Sequence, residues 1–314
     1  MTSTGQSTVL DAIEEHAEQI AALAPANESL GRLTDDAAKL LRDSGVMRML
    51  QPAEYGGAEA HPREFAETVM RIASLDGSTG WVAGIVGVHP WEMALCDPRV
   101  QAEVWAEDHE TWIASPYAPM GILTPVEGGY RFSGRWQFSS GTDHCDWIFL
   151  GAMLGDAEGK MAMPPQNYHV ILPRSDYTIV EDSWDVVGLR GTGSNDIVVR
   201  RAFVPTHRTL RHREQQELSG PGQAVNTSDL YKLPFHSIFT STIATPIIGM
   251  AKGAYAEHVE MQKKRTRAAY LGEKASLDPF AAVRIARASS EIDAAWALLV
   301  ANIREAQSYV DQGQ

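Results

Sequence analysis

The sequence predicts an α+β fold, with a β region held between two helical ones, on two changes of hydrophobic period and one change of composition. Apolar residues recur at helical spacing up to about Glu107, alternate with polar ones after Ser115, and return to helical spacing from about Thr240. Glycine, proline and β-branched residues gather in the middle stretch. Three units are expected: an N-terminal helical domain over 1–114, a middle β domain over 115–215, and a C-terminal helical bundle over 216–314.

The elements follow in order. Val9, Ile13, Ala17, Ile20 and Leu23 mark a first helix, and Thr34 as N-cap with Gly45 past the end frames a second. Phe65, Val69 and Ile72 mark a third, the run from Ser78 to Leu95 a fourth, and Pro98 suits the first turn of a fifth. Strands are expected over 122–126, 130–139, 147–153, 169–173 and 196–204. Ile243, Ile247, Ala251, Ala254 and His258 begin the returning helices. After Pro279 a stripe of Ile285, Ile292, Trp296, Leu299, Ile303 and Val310 reads as a bundle seam. Two helices bury such a seam poorly, so either a neighbouring subunit or further chain is expected to complete the bundle, which reads as truncated.

With 44% hydrophobic residues in 314, the chain can bury a large core. Its formal net charge of -13 argues against nucleic acid or an anionic membrane surface as partner. Cys96 and Cys145 have no paired spacing, and no leader or spanning segment is visible, so a cytoplasmic protein is expected.

The most informative stretch is Gly134-Arg-Trp-Gln-Phe-Ser-Ser-Gly-Thr-Asp-His-Cys-Asp-Trp147. Tyr130, Phe132, Trp136 and Phe138 occupy alternate positions, the period of a half-buried strand, and Ser140 continues their face. A hydroxyl at the end of an aromatic row suits a planar heterocycle stacked on that row. The plainer alternative is that Ser139 and Ser140 cap the following turn. Asp143-His-Cys-Asp146 holds four potential metal ligands, but adjacent residues point apart and cannot close one coordination shell. Gly188 to Ser194 lacks both the phosphate-loop and the dinucleotide patterns.

The order of helices, β region and long helices resembles the acyl-CoA dehydrogenase superfamily. Ser78-Thr-Gly-Trp81, Gly87-Val-His89, Tyr117-Ala-Pro-Met120 and Gly188-Leu-Arg-Gly-Thr-Gly-Ser-Asn195 resemble its flavin-dependent monooxygenase branch, in particular oxygenase components of bacterial steroid degradation acting on a secosteroid phenol. The similarity continues through Tyr231-Lys-Leu-Pro234 and Asp278-Pro-Phe280. It implies a two-component reaction: a separate reductase delivers reduced FMN or FAD, oxygen adds to form a C4a-hydroperoxyflavin, and a phenol is hydroxylated beside its hydroxyl, with no metal.

By family position, Ser140 contacts flavin N5 with Ser139 beside it, while Trp81, Trp136 and Phe138 supply dry walls. His89 hydrogen-bonds the phenolic oxygen, Ser115 is a second contact, and Tyr117 forms pocket wall. Thr192 and Ser194 border the flavin; a plain turn is the alternative. Arg265, in Lys263-Lys-Arg-Thr-Arg267, matches an arginine that reaches the flavin phosphate of an adjoining subunit; the alternative is a solvated basic face. The family's base histidine, in the last part of the helical bundle, has no counterpart before Gln314, and the resemblance predicts a tetramer. Two rival readings are a dehydrogenase-like flavoprotein and a non-catalytic packing partner of a longer homologue.

Overall fold

The computed structural model describes residues 8–267 and 272–313. Seven helices come first: α1 (Val9–Glu15), α2 (Ala17–Leu30), α3 (Asp35–Ser44), α4 (Pro62–Leu75), α5 (Gly77–Gly87), α6 (His89–Met93) and α7 (Pro98–Trp105). The single helix expected from Val9 to Leu23 is two, broken at His16, and the second runs on through Pro25 to Leu30. Thr34 and Gly45 cap α3 as expected, with Gly45 at φ 79°. The run from Ser78 to Leu95 is also divided, because Pro90 near the start of α6 has no N–H to continue α5.

The β region forms one sheet of β1 (Ile113–Ala114), β2 (Gly121–Val126), β3 (Gly129–Ser139), β4 (Trp147–Leu154), β5 (Asn167–Pro173), β6 (Thr178–Val180), β7 (Asn195–Pro205) and β8 (Thr209–Arg211). The strand order is β6-β7-β3-β2-β4-β5-β8, with β1 beside β4. All five expected strands are present, whereas the short β1, β6 and β8 carried too few residues for a period. One detail of topology positions the site. Both β1 and β2 lie parallel to β4, Ile113 opposite Trp147 and Gly121 opposite Ala152, so residues 115–120 leave the sheet and return to the same strand.

The short α8 (His212–Gln216) leads to the long α9 (Phe235–Lys264). A small hairpin of β9 (Thr266–Arg267) and β10 (Glu273–Lys274) precedes the long α10 (Pro279–Asp311). Packing of α9 against both α4 and α5 ties the second helical region to the first. Of the α10 seam, Leu299 and Ile303 are buried in a small cluster with Ala66 of α4. No helix among the described residues is long and apolar enough to cross a membrane.

Candidate active site

A cavity of about 380 Å³ opens where α5, the 115–118 loop, the end of β3, the β6–β7 connection and α9 converge. Each wall has a local cause. Asp76 caps α5 by accepting from Ser78 N and Thr79 N, and its carboxylate also takes Asn27 Nδ2 at 3.0 Å. Gly80 lets α5 lie against α4, since a Cβ there would stand 2.2 Å from Ala73 Cα. Trp81 and Ile85 consequently face the cavity.

The end of β3 breaks the expected alternation. Its pairing with β7 shifts register between Trp136 and Ser139, and Phe138 takes φ 64°. Trp136 is fully buried under the sheet beside Phe132 and donates Nε1–H to Gly151 O at 2.9 Å. The expectation that Trp136 walls the cavity is therefore corrected. Ser139 is corrected too: its hydroxyl bonds Thr142, whose own hydroxyl lies 2.8 Å from Ser139 O, so it fastens the turn. Phe138 is thrown outward onto the cavity, 66% exposed and edge-on to Trp184.

Ser140 lines the cavity and heads a row of hydroxyls. Trp81 Nε1–H donates to its Oγ at 3.0 Å, and Ser140 Oγ lies 2.8 Å from Ser194 Oγ, which lies 2.7 Å from Thr192 Oγ1. Thr192 in turn donates to Leu189 O at 2.8 Å. A carbonyl only accepts, and this fixes the direction of the row. With the Thr192 proton on Leu189 O, Ser194 donates to Thr192 and Ser140 donates to Ser194. One lone pair of Ser140 takes Trp81, and the other faces the cavity as an acceptor.

Ser115 lines the same cavity. His89 is completely buried, with Nδ1 on Ile113 O and Nε2 2.7 Å from Ser115 Oγ. The carbonyl places the ring proton on Nδ1, so Nε2 accepts from Ser115, whose oxygen is left to accept from a hydroxyl in the cavity. Burial, opposed by the Ile113 carbonyl, lowers the His89 pKa to about 4. His89 was expected to touch the phenol itself; it stands behind Ser115 and does not line the cavity.

Tyr117 lines the cavity, and its hydroxyl donates to Glu92 Oε2. Glu92 Oε1 takes His169 Nδ1 at 2.5 Å and Gln215 Nε2 at 2.8 Å. Burial alone would raise the Glu92 carboxyl; His169 and the donated hydrogen bonds outweigh it and hold the carboxyl below its usual range. Burial, and then the Glu92 charge, push the Tyr117 hydroxyl well up. Sequence reasoning missed Glu92, His169 and Gln215, as well as the wall residues Trp184 and Phe239. Arg265 lies exposed just past the end of α9, about 33 Å along the helix axis from the cavity residue Ile243. Within one subunit it is not part of this site.

A helical frame around one sheet, with an uncharged aromatic cavity between hydroxyl acceptors, defines an acyl-CoA dehydrogenase-like enzyme. The family model "Acyl-CoA dehydrogenase, C-terminal domain" matches residues 241–314. The chain is 50% identical over 306 residues to "Pigment production hydroxylase" of Rhodococcus erythropolis, covering 98% of this chain and 77% of the relative. It is 47% identical over 317 residues to "Flavin-dependent monooxygenase, oxygenase subunit HsaA" of Mycobacterium tuberculosis (strain ATCC 25618 / H37Rv), covering 100% of this chain and 79% of the relative. The crystal structure of 3-HSA hydroxylase from Rhodococcus sp. RHA1 superposes with a TM-score of 0.92 at 45% identity, covering 98% of this chain and 78% of that one. The chain belongs to the flavin-dependent monooxygenase branch of the acyl-CoA dehydrogenase superfamily.

Proposed function

We propose that this protein is the oxygenase component of a two-component system, taking reduced flavin from a separate reductase and hydroxylating an uncharged phenol beside its hydroxyl. The observation that carries the reading is the pair of serine oxygens, each turned into an acceptor, at two ends of one aromatic cavity. Reduced flavin has an N–H at N5 where oxidised flavin has a lone pair, so the open acceptor of Ser140 suits the reduced form. Trp81, Phe138 and Trp184 would pack on the ring, with Thr192 and Ser194 fixing Ser140 from behind. Bound reduced flavin would supply, with O2, the electrophilic oxygen atom that the phenol ring receives.

Ser115 would accept the phenolic O–H and turn the ring, while His89, neutral at ordinary pH, holds Ser115 in that sense. Every side chain lining the cavity is uncharged, so nothing there balances an anionic substituent. A bulky neutral tail fits, which agrees with a secosteroid phenol and with the relative named 3-HSA hydroxylase. The three-unit division at 115 and 216, a cytoplasmic location, a tetramer, and contact of Arg265 with a neighbour's flavin phosphate are further parts of this proposal.

The test is rapid mixing of protein and reduced FMN with oxygen, following near-ultraviolet absorbance. A transient that outlives free reduced flavin, and that Ser140→Ala shortens about tenfold or more, supports the reading. Oxidation as fast as without protein would sink it.

A further inference from the structure

The loop that carries Ser115 runs outside the sheet ladder, so something else must fix it. Its backbone touches β4 at one place, where Gly151 N donates to Pro116 O at 3.2 Å and a Cβ on Gly151 would stand 2.1 Å from Tyr117 O. Further hold comes from α6. His89 and Glu92 are three residues apart, on one face of that helix and about 4.5 Å apart along its axis. His89 binds Ser115 and Glu92 binds Tyr117, two residues further along the loop. One short helix thus grips both functional positions.

The second grip is built more strongly than packing alone requires. Tyr117 stacks on His169 at 4.4 Å between centroids and 25° between planes, and meets Phe239 edge-on at 4.9 Å. A phenylalanine would fill the same space. A buried carboxylate is costly unless fully bonded, and Glu92 is 1% exposed yet takes donors from β5, α8 and the loop itself. These donors leave the tyrosine hydroxyl committed to Glu92, in a residue that lines the cavity.

We propose that Glu92, held by His169 and Gln215, is a positioning residue of the phenol site: by fixing the Tyr117 hydroxyl it sets the loop bearing Ser115 and with it the cavity wall that Tyr117 lines. The proposal rests on the reading of this cavity as a phenol site. It assigns Glu92 no proton transfer to substrate. Its effect falls on phenol binding and leaves the Ser140 end alone.

The test uses 4-cyclohexylphenol as probe, with affinity read from quenching of tryptophan fluorescence, since Trp81 and Trp184 line the cavity. Tyr117→Phe, Glu92→Gln and the double variant are compared with the unaltered protein. Each single change is expected to weaken phenol binding about tenfold, and the double change no more than either one, because both cut the same link. Affinity for reduced FMN should stay within about twofold, a split that general loosening would not give. Singles that bind phenol like the unaltered protein, or losses that add, would overturn the proposal. Should Glu92→Gln fail to fold, Tyr117→Phe decides alone, since it keeps ring and volume. An unaltered protein that binds the phenol but gives no oxygen-dependent transient would overturn the monooxygenase reading and leave the binding comparison standing; one that binds no phenol would overturn both.

Discussion

Ser140 and Ser115 face one cavity, and both present an oxygen that accepts, yet the groups behind them differ in kind. Behind Ser140 stands a row of neutral hydroxyls ending on the Leu189 carbonyl. Behind Ser115 stands a histidine, with the Glu92–His169 pair one turn further along α6. Both arrangements give the same polarity, but only the second can titrate. The proposed flavin end should therefore keep its sense at any pH where the protein folds, while the proposed phenol end should lose it in acid.

The largest expected effect tests that difference. His89 has a folded-state pKa of about 4 against an ordinary value of about 6.5, so the folded protein binds this proton less readily than the unfolded chain. Its contribution to stability is complete above about pH 6.5 and is lost as pH falls towards 4, by about 3 kcal/mol. Glu92, whose carboxyl is also held low, loses its contribution in the same direction, so the comparison must isolate His89. Urea midpoints of His89→Gln should fall less steeply between pH 6.5 and 4 than those of the unaltered protein. Parallel curves would mean that His89 is not buried neutral.

Ser115→Ala comes next. It removes the acceptor proposed for the phenol and leaves Nε2 of a buried histidine unpaired, an expected loss of about 2 kcal/mol or thirtyfold in phenol affinity. Titration with reduced FMN should show no comparable change. If flavin affinity falls equally, the two ends are not independent.

How far the two ends were legible in sequence follows the same division. Ser140, Trp81, Thr192 and Ser194 sit in motifs, and the structure brings all four into one hydrogen-bonded row. His89 and Ser115 are hydrogen-bonded to each other, but Ser115 rather than His89 lines the cavity. Glu92 escaped notice because its partners His169 and Gln215 lie 77 and 123 residues away, a closeness that only the fold creates. Trp136 was misplaced because alternation was carried through a bulge. Gly134 marks a separate, earlier shift of the same strand, between Phe132 and Gly134, where a Cβ would stand 2.5 Å from the Trp136 ring. The helical order was readable from spacing; the break at His16 was not, since apolar residues continue across it, whereas Pro90 was the signal for the break before His89.

A smaller effect probes the direction of the hydroxyl row. Thr192→Val deletes the link to Leu189 O, after which Ser194 and Ser140 can turn either way. Preference for reduced over oxidised FMN should then fall about tenfold, mostly through weaker binding of the reduced form. An unchanged preference, measured by paired titrations under nitrogen and in air, would mean that Ser140 is not held as an acceptor by this row.

The smallest effect concerns the wall between the two ends. Phe138 holds φ 64°, a conformation that costs a bulky residue about 1 kcal/mol, and with 66% of its surface exposed it returns little burial. Glycine adopts that conformation freely, so Phe138→Gly should leave stability unchanged or raise it by up to about 1 kcal/mol. Reduced-flavin affinity should fall severalfold, since the ring that meets Trp184 edge-on is lost. Stability gained while flavin binding is lost would mark Phe138 as strained for the sake of the cavity. A clear drop in thermal stability would instead show that the ring supports the fold, and the bulge at Ser139 would then need no functional explanation.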